Sequence, residues 1–81
     1  MKRKSKTSPF NQFFGKVVRD RRKQLKISQE DLADEAPVHR TYISSIELGK
    51  TDLSLSVACR IAKALKTPLH RLIKKTESLV K

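Results

Sequence analysis

A chain of 81 residues, with 37% apolar side chains and a formal charge of +11, is long enough for one domain with one thin core. Its single cysteine, Cys59, excludes an internal disulfide framework and a multi-cysteine metal site. No apolar run reaches the length of a membrane span, and 19 basic against 8 acidic residues point to a polyanionic partner.

In chain order, residues 1–8 carry Lys2, Arg3, Lys4 and Lys6 with no apolar stretch behind them. They read as a disordered basic arm rather than a secretory signal, which leaves 9–81 as one domain of a cytoplasmic protein. Pro9 suits the first turn of a helix. Phe10, Phe14, Val17, Val18 and Leu25 then share one face at helical spacing, with basic residues over much of the rest. Of the three neighbouring phenylalanines, one ring is expected to stay exposed. Ser28 and Asp31 have the spacing of a reciprocal cap, and Ile27 and Leu32 flank it as a hydrophobic staple. A second helix is therefore predicted over Gln29 to Ala36, stopped by Pro37. A third runs from about His39 to Leu48, with Ile43 and Ile46 buried and Gly49 as its stop. Ser54 caps a fourth, in which Leu55, Ala58, Ile61, Ala62 and Leu65 face inward and Cys59 is a small core residue. Thr67 and Pro68 restart the chain as cap and first residue of a fifth helix, which carries Leu69, Leu72, Ile73, Leu79 and Val80. The expected fold is all-α and compact, with five helices and no strand.

Charge is segregated along these elements. Residues 1–26 carry +9, residues 27–58 carry −4 and residues 59–81 carry +6. A nonspecific polycation would be basic throughout, so the middle third is expected to do something more selective. There the second and third helices, a short turn apart, have the layout of a helix-turn-helix whose second member can enter a DNA major groove. With Ile43 and Ile46 turned inward, that member offers His39, Arg40, Thr41, Tyr42, Ser44 and Ser45 outward, with no acid among them. An arginine can grip guanine O6 and N7 in a bidentate fork, and threonine brings a hydroxyl and a methyl that suits thymine. The plainer alternative, a solvated helix face, fits less well between two strongly basic flanks.

The run Ser28-Gln29-Glu30-Asp31-Leu32-Ala33, then Val38, Tyr42-Ile43-Ser44, Ile46-Glu47, Gly49-Lys50 and Ile61-Ala62-Ala64-Leu65, resembles the Cro/repressor-type helix-turn-helix family of phage and bacteria. The likeness spans about residues 12–73, and the segment from His39 to Ser44 is most similar to the controller proteins of restriction–modification systems. The resemblance implies a phage-repressor type of five-helix domain that binds palindromic operators on double-stranded DNA as a homodimer and regulates restriction–modification genes, its own included. It implies that Arg40, Thr41, Ser44 and Ser45 face base edges. Gln29, His39, Tyr42, Lys50 and Arg22 would lie at the DNA backbone. Arg22 would also pair with Glu47, bracing the first helix against the third. Leu69, Leu72 and Ile73 of the last helix would contribute to a dimer interface. Glu30 and Asp34, on the outer face of the second helix, would be a contact for RNA polymerase in an activator.

Each assignment has a simpler alternative. Gln29 can decorate a helix start, Arg22 and Glu47 can be an exposed pair worth ~0–1 kcal/mol, and Tyr42 can pack against a neighbouring helix. Early acids such as Glu30 can serve the helix dipole. Lys63, Lys66, Arg71, Lys74 and Lys75 read as a solvated face that raises the general field. Where the family favours glycine at positive φ this chain has Pro37, so the turn is expected to be built differently. His39 and His70 have no Cys or His at ligand spacing, so no metal or other cofactor is expected, and no catalytic constellation suggests an enzyme. Two other readings are an antitoxin-type interaction module with secondary DNA binding and a phage-type repressor.

Overall fold

The computed structural model describes residues 8–80. The chain forms α1 (Pro9–Gln24), α2 (Gln29–Glu35), α3 (Arg40–Glu47), α4 (Leu55–Ala64) and α5 (Leu69–Val80), with no strand among the described residues. Residues 1–7 of the expected arm lie outside this range. Ser8 is the N-cap of α1, its hydroxyl accepting from the Asn11 amide at 3.2 Å.

The N-terminal signals form as their chemistry dictates. At α2 the Asp31 amide donates to Ser28 Oγ at 2.9 Å, while the Ser28 amide donates to Asp31 Oδ2 at 3.1 Å. Two otherwise orphaned donors are thereby satisfied. Ser54 Oγ accepts from the Val57 amide at 3.2 Å and starts α4. The start of α5 differs from the expectation: it begins at Leu69, and the Thr67 hydroxyl donates to the Leu65 carbonyl at 3.1 Å.

Helices α1 to α4 are each followed by a residue at positive φ. Lys26, Pro37, Gly49 and Lys66 each stand just past a helix with φ of 60°, 25°, 72° and 56°. After α1, α3 and α4 the left-handed residue donates back to the third residue before it, and the next amide donates to the fifth, as a Schellman closure requires. After α2 only the second bond exists, Val38 to the Ala33 carbonyl at 3.0 Å, because proline has no N–H. The expectation of a differently built turn is met in the missing bond and not in the backbone angle. The turn keeps its positive φ, and the pyrrolidine ring is held far from the value near −65° that it prefers.

Helix α1 runs through the domain and packs on α3 along one side and α5 along the other; α2 packs on α3 and α4, and α4 on α5. Val18, Leu32, Ile43, Ile61 and Leu65 are fully buried where these faces meet, and Phe10, Tyr42, Val57, Leu69 and Ile73 close the cluster from outside. The approach of α1 to α3 depends on Gly15. A Cβ there would run into the Ile46 carbonyl oxygen and stand 2.8 Å from that of Glu47. Thr76, buried in α5, satisfies its hydroxyl by donating to the Leu72 carbonyl at 2.8 Å.

Two inward assignments and one outward assignment change. Leu55 is 78% exposed, because the core stripe of α4 runs through Ala58, Ile61, Ala62 and Leu65, and Leu53 and Val57 close the end beyond it. Cys59 is exposed, one position off that stripe. Phe13 is half-buried, so none of the three phenylalanine rings is wholly exposed on α1.

Candidate nucleic-acid interface

The third helix is aimed by a buried polar brace. Arg22 Nε donates to Glu47 Oε2 at 2.6 Å and Nη2 donates to Glu47 Oε1 at 3.1 Å, a bidentate pair between α1 and the last residue of α3. Its Nη1 donates to the Ile27 carbonyl at 2.9 Å. Gln29 Nε2 reaches the same Glu47 Oε1 at 3.0 Å. One carboxylate thus gathers donors from α1 and α2 at the end of α3. The two charged side chains are 11% and 3% exposed, so the exposed-pair alternative does not hold. The hydrogen bonds that Arg22 donates to Glu47 raise its pKa above the ordinary value, against the opposing effect of burial. The folded-state value lies above the unfolded one, so the stabilisation on the Arg22 side is complete through neutral pH. It fades only in strong alkali.

On this brace α3 turns two faces in different directions. Ile43 and Ile46 enter the core; Arg40 and Thr41 are exposed at the N-terminal end, and Ser44 and Ser45 follow one turn later, half-buried. His39 is the exposed N-cap residue, without a side-chain capping bond, and its Nδ1 lies 3.5 Å from Thr41 Oγ1. Lys50 is exposed just past the helix, and its backbone amide is fixed by the Ser45 carbonyl at 2.9 Å. The structure therefore brings Arg40, Thr41, Ser44 and Ser45 together on one element, with His39 and Lys50 at its two ends.

Other expected positions have different surroundings. Arg22 turns its guanidinium into the protein, with all three nitrogens on Glu47 and the Ile27 carbonyl. Gln29 is half-buried with its amide on Glu47. Tyr42 is half-buried and packs its ring against the core. Leu72, expected at a dimer interface, is 1% exposed and belongs to this chain's own core, because α5 folds back along α1; Leu69 and Ile73 are half-buried beside it. Glu30 and Asp34 are exposed on α2, and Glu30 Oε2 lies 3.9 Å from Arg40 Nε.

Some contacts near the site and at helix ends escaped the sequence reading. The approach of Glu30 to Arg40 joins residues from two helices, and no one-dimensional spacing announces it. Arg60 Nε donates to the Ala36 carbonyl at 3.3 Å and Arg21 Nε to the Leu65 carbonyl at 3.0 Å. Two cations that nothing in the sequence singled out therefore cap the C-terminal ends of α2 and α4. The only available signal was their position opposite helix ends, which depends on the packing.

The helix-turn-helix family pattern matches residues 18–72. The chain is 45% identical over 60 residues to control protein C.BamHI of Bacillus amyloliquefaciens, covering 73% of this chain and 74% of that one. It is 41% identical over 56 residues to control protein C.SmaI of Serratia marcescens, covering 69% and 67%. Among solved structures, the restriction–modification controller protein C.AhdI from Aeromonas hydrophila superposes with a TM-score of 0.74 at 31% identity, over 75% of this chain and 92% of that one. No helix among the described residues is long and apolar enough to cross a membrane.

Proposed function

This chain belongs to the helix-turn-helix family as a DNA-binding regulator of the restriction–modification controller type, and we propose that it binds a palindromic operator as a homodimer and controls restriction–modification genes, its own included. The observation that supports this reading best is the outward face of α3, polar, free of acids and anchored from behind by the Arg22–Glu47–Gln29 brace. Arg40 would fork onto a guanine, with Thr41, Ser44 and Ser45 reading neighbouring base edges. His39, Tyr42 and Lys50 would meet the sugar–phosphate backbone, as would Gln29 at the N-terminus of α2. Arg22 acts in this reading through Glu47, not through DNA.

Residues 9–81 would be the DNA-binding and dimerisation unit and 1–8 a basic arm of a cytoplasmic protein. For a partner copy, the apolar side chains on offer are Leu48, 61% exposed, Leu55 at the other end of the α3–α4 connection, and the outer sides of Leu69 and Ile73. Glu30 and Asp34 remain candidates for a polymerase contact. Because Glu30 also approaches Arg40, Asp34→Asn is the cleaner variant: activation should fall with operator affinity unchanged.

Selection of bound duplexes from a random DNA pool tests the whole proposal. A symmetric motif with half-sites about one helical turn, ~34 Å, apart is expected. An asymmetric motif removes the dimeric reading, and failure to enrich any sequence removes the regulator's base-reading face.

A further inference from the structure

A groove of about 430 Å³ lies between α1 and α5, away from the recognition helix. It is lined on α1 by positions 17, 20, 21 and 24, which at 100° per residue lie on the far side of that helix from Gly15 and Arg22, the positions that meet α3. Arg21, Lys66, Arg71 and Lys75 surround it. The one acid in its wall, Asp20, already has Lys16 at 3.4 Å. Arg21 is held in position by the Leu65 carbonyl and by Gln24 Oε1 at 3.2 Å, so at least one cation is fixed rather than waving in solvent. The floor is apolar: Val17 lies along it and Leu79, 42% exposed, opens onto it.

These features discriminate among occupants. A phosphodiester backbone would use the cations but has nothing to place against Val17 and Leu79. A second copy that met this face with its own across a two-fold axis would bring the same four cations against them, and residues 1–8 of the chain itself are basic. An acidic segment with an apolar side chain at helical spacing satisfies both the rim and the floor. We infer that this groove docks a short acidic, amphipathic segment of a partner protein, whose carboxylates meet Arg21, Lys66, Arg71 and Lys75 while its apolar side chain enters against Val17 and Leu79. The regulator thereby carries a protein-docking face on the side of α1 opposite its DNA-reading helix.

Fluorescence anisotropy tests this with a labelled peptide that carries leucines among glutamates at helical spacing, beside a poly-glutamate of equal charge. The peptide should bind saturably at physiological salt, and poly-glutamate at least about tenfold more weakly, a difference of ~1.4 kcal/mol. Arg71→Gln with Lys75→Gln should weaken the peptide about tenfold. Lys63→Gln with Lys74→Gln, which removes the same charge outside the groove, should change it less than about twofold, and a bound DNA duplex should not compete. Equal binding of poly-glutamate, equal loss in both double variants, displacement of the peptide by DNA, or no saturable binding would each overturn the inference. Amide chemical shifts of the full chain give a second readout. Perturbations along α1 residues 17–24 and the α5 wall support the groove; perturbations confined to α3 overturn it.

Discussion

Arg22 and Glu47 stand 25 residues apart in sequence, yet their side chains meet in a buried, bidentate pair that also receives Gln29. A buried pair has a particular energetic signature. Its net contribution against an apolar substitute is small, but removing one partner leaves an uncompensated charge. Arg22→Met should therefore cost ~3–5 kcal/mol of unfolding free energy in urea titration, with Glu47 left at 3% exposure with Gln29 as its remaining donor. A cost below ~1 kcal/mol would mean the carboxylate finds water and the brace is not structural. On the outward face the expected signatures differ by role. Arg40→Ala should cost ~1–3 kcal/mol on the selected operator and relax the preference at one position per half-site. Lys50→Ala should weaken all duplexes alike. Binding measured on cognate and scrambled duplexes separates the two, and equal losses on both for Arg40→Ala would remove its reading role. The exposure of His39, Arg40 and Thr41 was legible in one dimension because helical periodicity alone assigns Ile43 and Ile46 to the inside, whereas Tyr42, also placed outward, packs its ring on the core. The link from Gln29 to Glu47 was not legible, because it depends on how α2 crosses the end of α3.

The helix ends show how one backbone device serves four sequences. The closures at Lys26, Gly49 and Lys66 complete both bonds, and the one at Pro37 completes a single bond at a φ its ring resists. Only Gly49 announces such a closure by residue type. Lysine at positive φ carries a modest steric cost that the surrounding helices impose, and the sequence has no mark for it. Pro37→Gly should relieve ~1–3 kcal/mol of strain and restore an N–H donor, while adding ~0.4–1 kcal/mol of unfolded-chain entropy. A net gain of about 1 kcal/mol, seen as a raised Tm, is expected; a lowered Tm would show that the proline is accommodated without strain. Gly15→Ala should act in the opposite direction. Its Cβ meets backbone oxygen rather than a movable side chain, so α1 and α3 must separate. The cost should exceed the ordinary glycine-to-alanine gain of ~1 kcal/mol within a helix, so a stabilised Gly15→Ala protein would contradict the close approach.

At the scale of the molecule, the charge segregation acquires a geometry. The −4 middle third contains α2 and α3, so the proposed base-reading element is not itself strongly cationic, and in that proposal attraction to DNA comes largely from flanking segments. If a dimer neutralises ~6–10 phosphates, operator affinity should fall ~10³–10⁵-fold between about 50 and 200 mM salt. A gel-shift or anisotropy series across that range measures it, and a nearly flat response would deny the phosphate contacts. Arg71 and Lys75, which read as undifferentiated surface charge, instead stand in a groove wall beside Arg21, which also caps the end of α4.

Helix number, the reciprocal cap at Ser28 and Asp31, the buried isoleucines of α3 and the polar set opposite them were all contained in the order of residues. Each follows from contacts within one or two helical turns, where spacing and chemistry suffice. The burial of the Arg22–Glu47 pair, the exposure of Leu55 and Cys59, the retention of Leu72 by the chain's own core and the groove along α1 were decided only when distant helices met. Such features depend on crossing positions and on where a neighbouring helix stops, and these are set by the packing of the whole core rather than by any local run of side chains.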